Sequence, residues 1–165
     1  MGWVTLTLRK TELKRTHSDY QKQLLDISRE KRQMARKYHF MQTCTQNDQQ
    51  HDLREIYAAY RTEADALRKQ SSGLVPGSES YQHDYNSVQD QLALAKEEYE
   101  RAKNDTQMYW EEELARIEEE ANDIETALDQ EQVQIEAQLE AITAEIESVG
   151  SAVSSQIQSS TIKLS

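Results

Sequence analysis

The sequence predicts an all-α fold in which two long helices form an antiparallel coiled-coil hairpin. Three observations predict it. Residues 3–72 and 78–149 contain neither Gly nor Pro, the strongest breakers of regular structure. Apolar residues recur along both segments at the three-and-four spacing of a coiled-coil seam. Charge is divided between the segments: residues 1–44 hold ten Lys/Arg and four Asp/Glu, whereas 81–165 hold five and twenty. The 165 residues therefore read as a single elongated domain. Arm 1 covers about 5–70, a turn covers 71–80, arm 2 covers about 81–158 and a C-terminal tail covers 159–165.

Arm 1 carries Leu6, Leu13, Tyr20, Ile27, Met34 and Met41, one every seven residues. Four residues further on in each heptad stand Lys10, His17, Leu24, Lys31, Tyr38 and Thr45, a mixed second half of the seam. Residues 45–52 contain no apolar side chain, and the pattern resumes out of phase at Leu53, Ile56, Tyr60 and Leu67. Lost seam contacts predict a distorted or frayed turn there.

The turn is set by Gly73, Pro76 and Gly77. Pro presets φ and Gly accepts positive φ, so Pro76-Gly77 suits a tight turn. Ser78 and Ser80 are candidate N-caps for arm 2.

Arm 2 runs through Tyr81, Tyr85, Val88, Leu92, Ala95, Tyr99 and Ala102, then Trp110, Leu114, Ile117, Ala121, Ile124 and Leu128. It ends through Ile135, Leu139, Ile142, Ile146, Val149 and Val153. The pattern skips a beat before Trp110 and after Leu128, the mark of stutters that locally unwind a supercoil. Glu, Gln, Ala and Lys, all good helix formers, fill the other positions. At 1.5 Å rise per residue each arm would extend about 105 Å.

Folding back at residue 75 would place residue i near 150−i. The basic stretch Arg9–Lys37 then faces Glu113–Ala141. Exposed ion pairs contribute from about 0.2 to 1 kcal/mol each, so their sum chooses the partner more than it stabilises. The same complementarity can be met between two chains, which leaves a domain-swapped dimer open.

The two ends depart from the seam theme. Trp3–Leu8 is rich in β-formers and partly alternates, as does the tail 160–165, so the ends read either as a fraying helix start with a loose tail or as a docking end. After Gly150 the chain is Ser/Gln-rich, with Val153 and Ile157 on one helical face. Trp3, Val4, Leu6 and Leu8, with Val153, Ile157, Ile162 and Leu164, are the candidate partner-binding residues. They gather apolar groups where a lone rod has nothing to bury them, and an extended segment can add a strand to a partner sheet. Trp3 is the favoured anchor, because Trp is enriched among interface hot spots.

The composition argues against several function classes. The four His show no spacing of a helical zinc or di-iron motif. Asp48-x-x-His51 is the nearest approach and reads as a solvated pair, so no metal or cofactor is expected. Cys44 stands alone, without a packed scaffold to hold a base beside it. The runs 111–113 and 118–120 of consecutive Glu point around a helix and read as solvated faces. With no pocket and no nucleophile–base set, the chain is expected not to be an enzyme. Arg29–Arg32, Arg36 and Lys37 suggest nucleic acid, but the net charge of −11 argues against it. No apolar run approaches the 18 or so residues of a membrane span. The start lacks the basic and long apolar regions of a secretory signal. Gly2 is followed by Leu6 where myristoylation wants Ser or Thr. The lone thiol fits a reducing compartment. The expected location is the cytoplasm or a large particle assembled there.

A rod with sticky ends predicts a non-catalytic strut or adaptor in a larger complex, such as a virion, an injection apparatus or a secretion apparatus. Its partners would be proteins, its own copies included. In length and hairpin form, the two arms around Gly73-Leu74-Val75-Pro76-Gly77 resemble the flagellar and type III secretion export stalks. That resemblance rests on architecture, covers the arms, and implies an alternative role as a chaperone or export-stalk module that engages clients.

Overall fold

The computed structural model describes residues 2–162, with the side chains of residues 2–160. Two helices make up the fold, α1 over Trp3–Ser72 and α2 over Tyr81–Ile162, and no strand occurs among the described residues. They form the antiparallel all-α hairpin that the breakers and the heptads predict.

Gly73, Pro76 and Gly77 set the connection between the helices. The Gly73 N–H reaches the carbonyls of Lys69 and Gln70 at 3.2 and 3.1 Å, closing the last turn of α1. The Ser78 N–H donates to the Val75 carbonyl at 3.3 Å, spanning Pro76 and Gly77. Gly77 has φ +96°. Pro at the second position and a positive-φ Gly at the third are the requirements of a type II turn. Ser80 directly precedes α2, and its carbonyl accepts the Asp84 N–H at 2.9 Å. Asp84 adds a negative charge in the first turn, where the helix dipole favours it.

Packing divides the chain into two units, Met1–Lys37 with Glu120–Ser165 as unit 1 and Tyr38–Glu119 as unit 2. In unit 1 the core is Ile27, Leu128 and Ile135, against which Tyr20, Leu24, Ile124 and Leu139 pack. Leu13 is buried as well. All are seam positions of the heptad reading. In unit 2 the buried residues are Tyr38, Ala64, Val88, Ala95 and Ile117. Tyr60 stacks on Tyr99 with centroids 4.7 Å apart, and Tyr57 meets the same ring edge-on at 6.0 Å.

One open choice is decided and three expectations are corrected. Trp3–Leu8 is helical, because the Gly2 carbonyl accepts the Thr5 and Leu6 N–H groups and Leu6 turns half-buried into the seam. The expected C-terminal tail is helical through Ile162, and Gly150 does not break α2. Residues 45–52 continue α1 without a break; Thr45, Gln49 and Asp52 are half-buried, so polar residues occupy the seam there. The register also differs from 150−i. Arg9 meets Glu145 and not Ala141, Lys31 meets Asp129 and not Glu119, and Asp52 meets Trp110 and not Glu98.

Candidate functional site

The register correction has a physical cause in the seam. Lys10, Lys31 and Asp52 occupy the same heptad position of α1, three heptads apart. Each meets an irregular position of α2. In unit 1, Lys31 Nζ donates to Asp129 Oδ1 at 2.5 Å and to Gln132 Oε1 at 2.6 Å. Gln132 stands in the skipped beat between Leu128 and Ile135. Also in unit 1, Lys10 Nζ lies 2.9 Å from where a Cβ at Gly150 would sit, so the missing side chain makes room for the Lys10 stem. In unit 2 the Trp110 indole N–H donates to Asp52 Oδ2 at 3.1 Å. The polar stretch of α1 and the irregularity before Trp110 therefore lie against each other and satisfy each other. Polar seam pairs of this kind specify register in coiled coils.

Arg9 adds a further contact in unit 1, donating from Nε and Nη2 to Glu145 Oε1 at 3.1 and 2.8 Å. The hydrogen bond to Glu145, and then the charge of that carboxylate, raise the pKa of the Arg9 guanidinium above its ordinary value. Of the four basic residues Arg29, Lys31, Arg32 and Arg36, Lys31 alone is seen to reach α2. Arg29 pairs with Asp26 at 3.1 Å, and Arg32 bonds to the Ser28 carbonyl and hydroxyl, both on α1.

The candidate partner-binding residues fall into two sets. Leu6 and Val153 are half-buried, and the register that sets Lys10 on Gly150 brings them level. Trp3, Val4, Leu8 and Ile157 are exposed at 55%, 53%, 62% and 51%. Val4 and Leu8, four apart, share one helical face. Ile162 ends α2, and its side chain lies outside the described ones. Leu164 lies outside the described residues. Because Trp3–Leu8 is helical, it can dock as a helix face but not as an added strand.

Among the described residues one set of potential ligands converges. His51, Asp52 and Glu55 bring one ligand atom each within 4.8 Å of one another. The His51 ring nitrogens lie 3.7 Å from Asp52 Oδ1 and 3.7 Å from Glu55 Oε1. The sequence reading paired His51 with Asp48 instead. These are neighbours on α1, with Asp52 half-buried and His51 and Glu55 exposed beside it. Cys44 is a free, half-buried thiol. No helix among the described residues is long and apolar enough to cross a membrane. Sequence reasoning missed the Lys31, Lys10 and Asp52 contacts; the three-heptad spacing of these polar seam residues was the available signal. No family model, curated protein or solved structure matches this chain.

Proposed function

We propose that the chain is a non-catalytic assembly protein, a helical-hairpin strut or adaptor that docks to a protein partner through the part of unit 1 where α1 begins. The observation that carries this reading is the exposure of Trp3, Val4 and Leu8 at the start of α1, with Ile157 exposed on α2 of the same unit. A seam buries apolar residues on one side of each helix, and outward apolar groups gathered at one end mark an interaction site. Other exposed apolar side chains, among them Leu25, Phe40, Leu94, Met108 and Val133, are spread along the two helices.

The test compares the native complex recovered with the wild type and with the triple variant Trp3→Ala, Val4→Ser, Leu8→Ser. The variant is expected to keep its helix content by circular dichroism and to lose its partner. Retention of the partner with unchanged affinity would move the docking surface to the helix flanks.

A further inference from the structure

Arg15, Lys22, Arg29 and Arg36 recur every seven residues on α1 of unit 1, and all four are exposed. Each stands two residues after a seam position (Leu13, Tyr20, Ile27, Met34), roughly 200° around the helix. The stripe therefore faces away from the seam. Lys22 and Arg29 contact Asp19 and Asp26 of α1. Arg15 and Arg36 make no ion pair among the described residues.

Unit 2 carries the complement. Glu98, Asp105, Glu112 and Glu119 recur every seven residues on α2, again four in number and all exposed. None makes an ion pair or side-chain hydrogen bond among the described residues. Three basic side chains of the same stretch pair with other carboxylates, Arg101 with Glu97, Lys103 with Glu100 and Arg116 with Glu113, while Lys96 makes no ion pair among the described residues. Both stripes extend over 21 residues, about 31 Å of helix.

An apolar side chain interrupts each stripe at the same place. Leu25 stands three residues after Lys22 and four before Arg29, and is 58% exposed. Met108 stands three residues after Asp105 and four before Glu112, and is 59% exposed. Matched period, matched number, opposite sign and a matched apolar centre are what one helix face needs to recognise another.

We infer that the two stripes bind each other between two copies of this chain, the basic stripe of unit 1 of one copy lying on the acidic stripe of unit 2 of the other. Each copy holds both stripes, so either copy can supply either side of the contact. Leu25 meets Met108 at the centre whichever way the helices run. Within unit 1, α1 is flanked by α2 residues from 120 onward, as the Lys31–Asp129 and Arg9–Glu145 contacts record. Exposed ion pairs are individually weak and screened by salt, so this association is reversible and salt-dependent. The surface is separate from the exposed apolar end, and the inference stands without that end's role.

Sedimentation velocity of the full chain tests it, at about 0.05 M and about 1 M salt, where the Debye length falls from about 14 Å to about 3 Å. The wild type is expected to be dimeric at low salt and monomeric at high salt. The quadruple variants R15E/K22E/R29E/R36E and E98K/D105K/E112K/E119K are each expected to be monomeric alone. Mixed at equal amounts they should reassociate, with a dissociation constant within about threefold of the wild type. Leu25→Ser with Met108→Ser leaves all charges in place and serves if a quadruple variant fails to fold; it is expected to weaken the dimer at least about tenfold. A wild type monomeric at low salt overturns the inference, as do folded variants that remain dimeric or that fail to combine. So does a monomeric wild type whose basic stripe binds duplex DNA or RNA under the same conditions, which would assign that face to a polyanion.

Discussion

The two units use the same helices and close them differently. Unit 1 is closed by aliphatic side chains and by charge. Its α1 portion holds ten Lys/Arg against four Asp/Glu, and residues 120–165 hold one against nine. Ile27, Leu128 and Ile135 form the core, and Arg9 and Lys31 cross to Glu145 and Asp129. Unit 2 has no such division, since both of its helical portions are net acidic. Here shape replaces charge: Ala64 and Ala95 are buried as small residues, while Tyr57, Tyr60 and Tyr99 supply the bulk. Ion pairs in unit 2, such as Arg61–Asp65 and Arg101–Glu97, run along one helix. In unit 1 opposite charge selects the partner helix; in unit 2 complementary size and one indole hydrogen bond do so.

The largest test of that difference is removal of aliphatic core. Leu128→Ala should cost about 2–5 kcal/mol, with hydrogen exchange rising first in unit 1 amides. Equal loss of protection in unit 2 would show that the two units open as one. Next comes overpacking. Ala64→Leu has no room beside its neighbours and should cost about 1–3 kcal/mol, read as a lower denaturant midpoint; a neutral result would remove the small-residue argument for unit 2. Trp110→Phe keeps an aromatic ring but leaves the half-buried Asp52 carboxylate without its donor. A loss of about 1 kcal/mol is expected, and Asp52→Ala in the Phe background should add little more, which a double-mutant cycle measures. The smallest effect is Lys31→Gln. It should cost about 0.5 kcal/mol at low salt and nearly nothing at high salt. A salt-independent loss would mean that Lys31 acts through packing of its stem.

Much of the fold is legible in the sequence because its causes are local. Pro76 and Gly77 prescribe their own turn, and the spacing of Leu13, Ile27, Leu128 and Ile135 marks the buried face of each helix. Axial register is a different kind of information. A heptad says which side of a helix is buried, but sliding one helix by a heptad preserves that pattern. The matches that fix the slide, Lys31 with Gln132 and Asp52 with Trp110, join residues 101 and 58 positions apart. No short window contains them. The start of α1 carries two opposed signals: Trp3–Leu8 has strand-like local preferences, and the seam position of Leu6 overrides them. The outward stripe was legible as a basic stretch, but the partners of Arg29 and Arg32 on their own helix were not.

The single short turn between the helices also orders events in time. Bringing Arg9 to Glu145 in an unfolded chain closes 136 residues, whereas Asp52 to Trp110 closes 58. The longer closure is less favourable by about 0.7 kcal/mol. Once contacts near Pro76-Gly77 have formed, each later contact adds only a few residues of new loop, so the seam grows from the turn toward the termini like a closing zip. The exposed end with Trp3 is then the last part to form during folding and the first to open afterwards. A partner bound at that end would hold shut the place where unfolding begins, and its departure would expose the free edge of the hairpin to proteolysis.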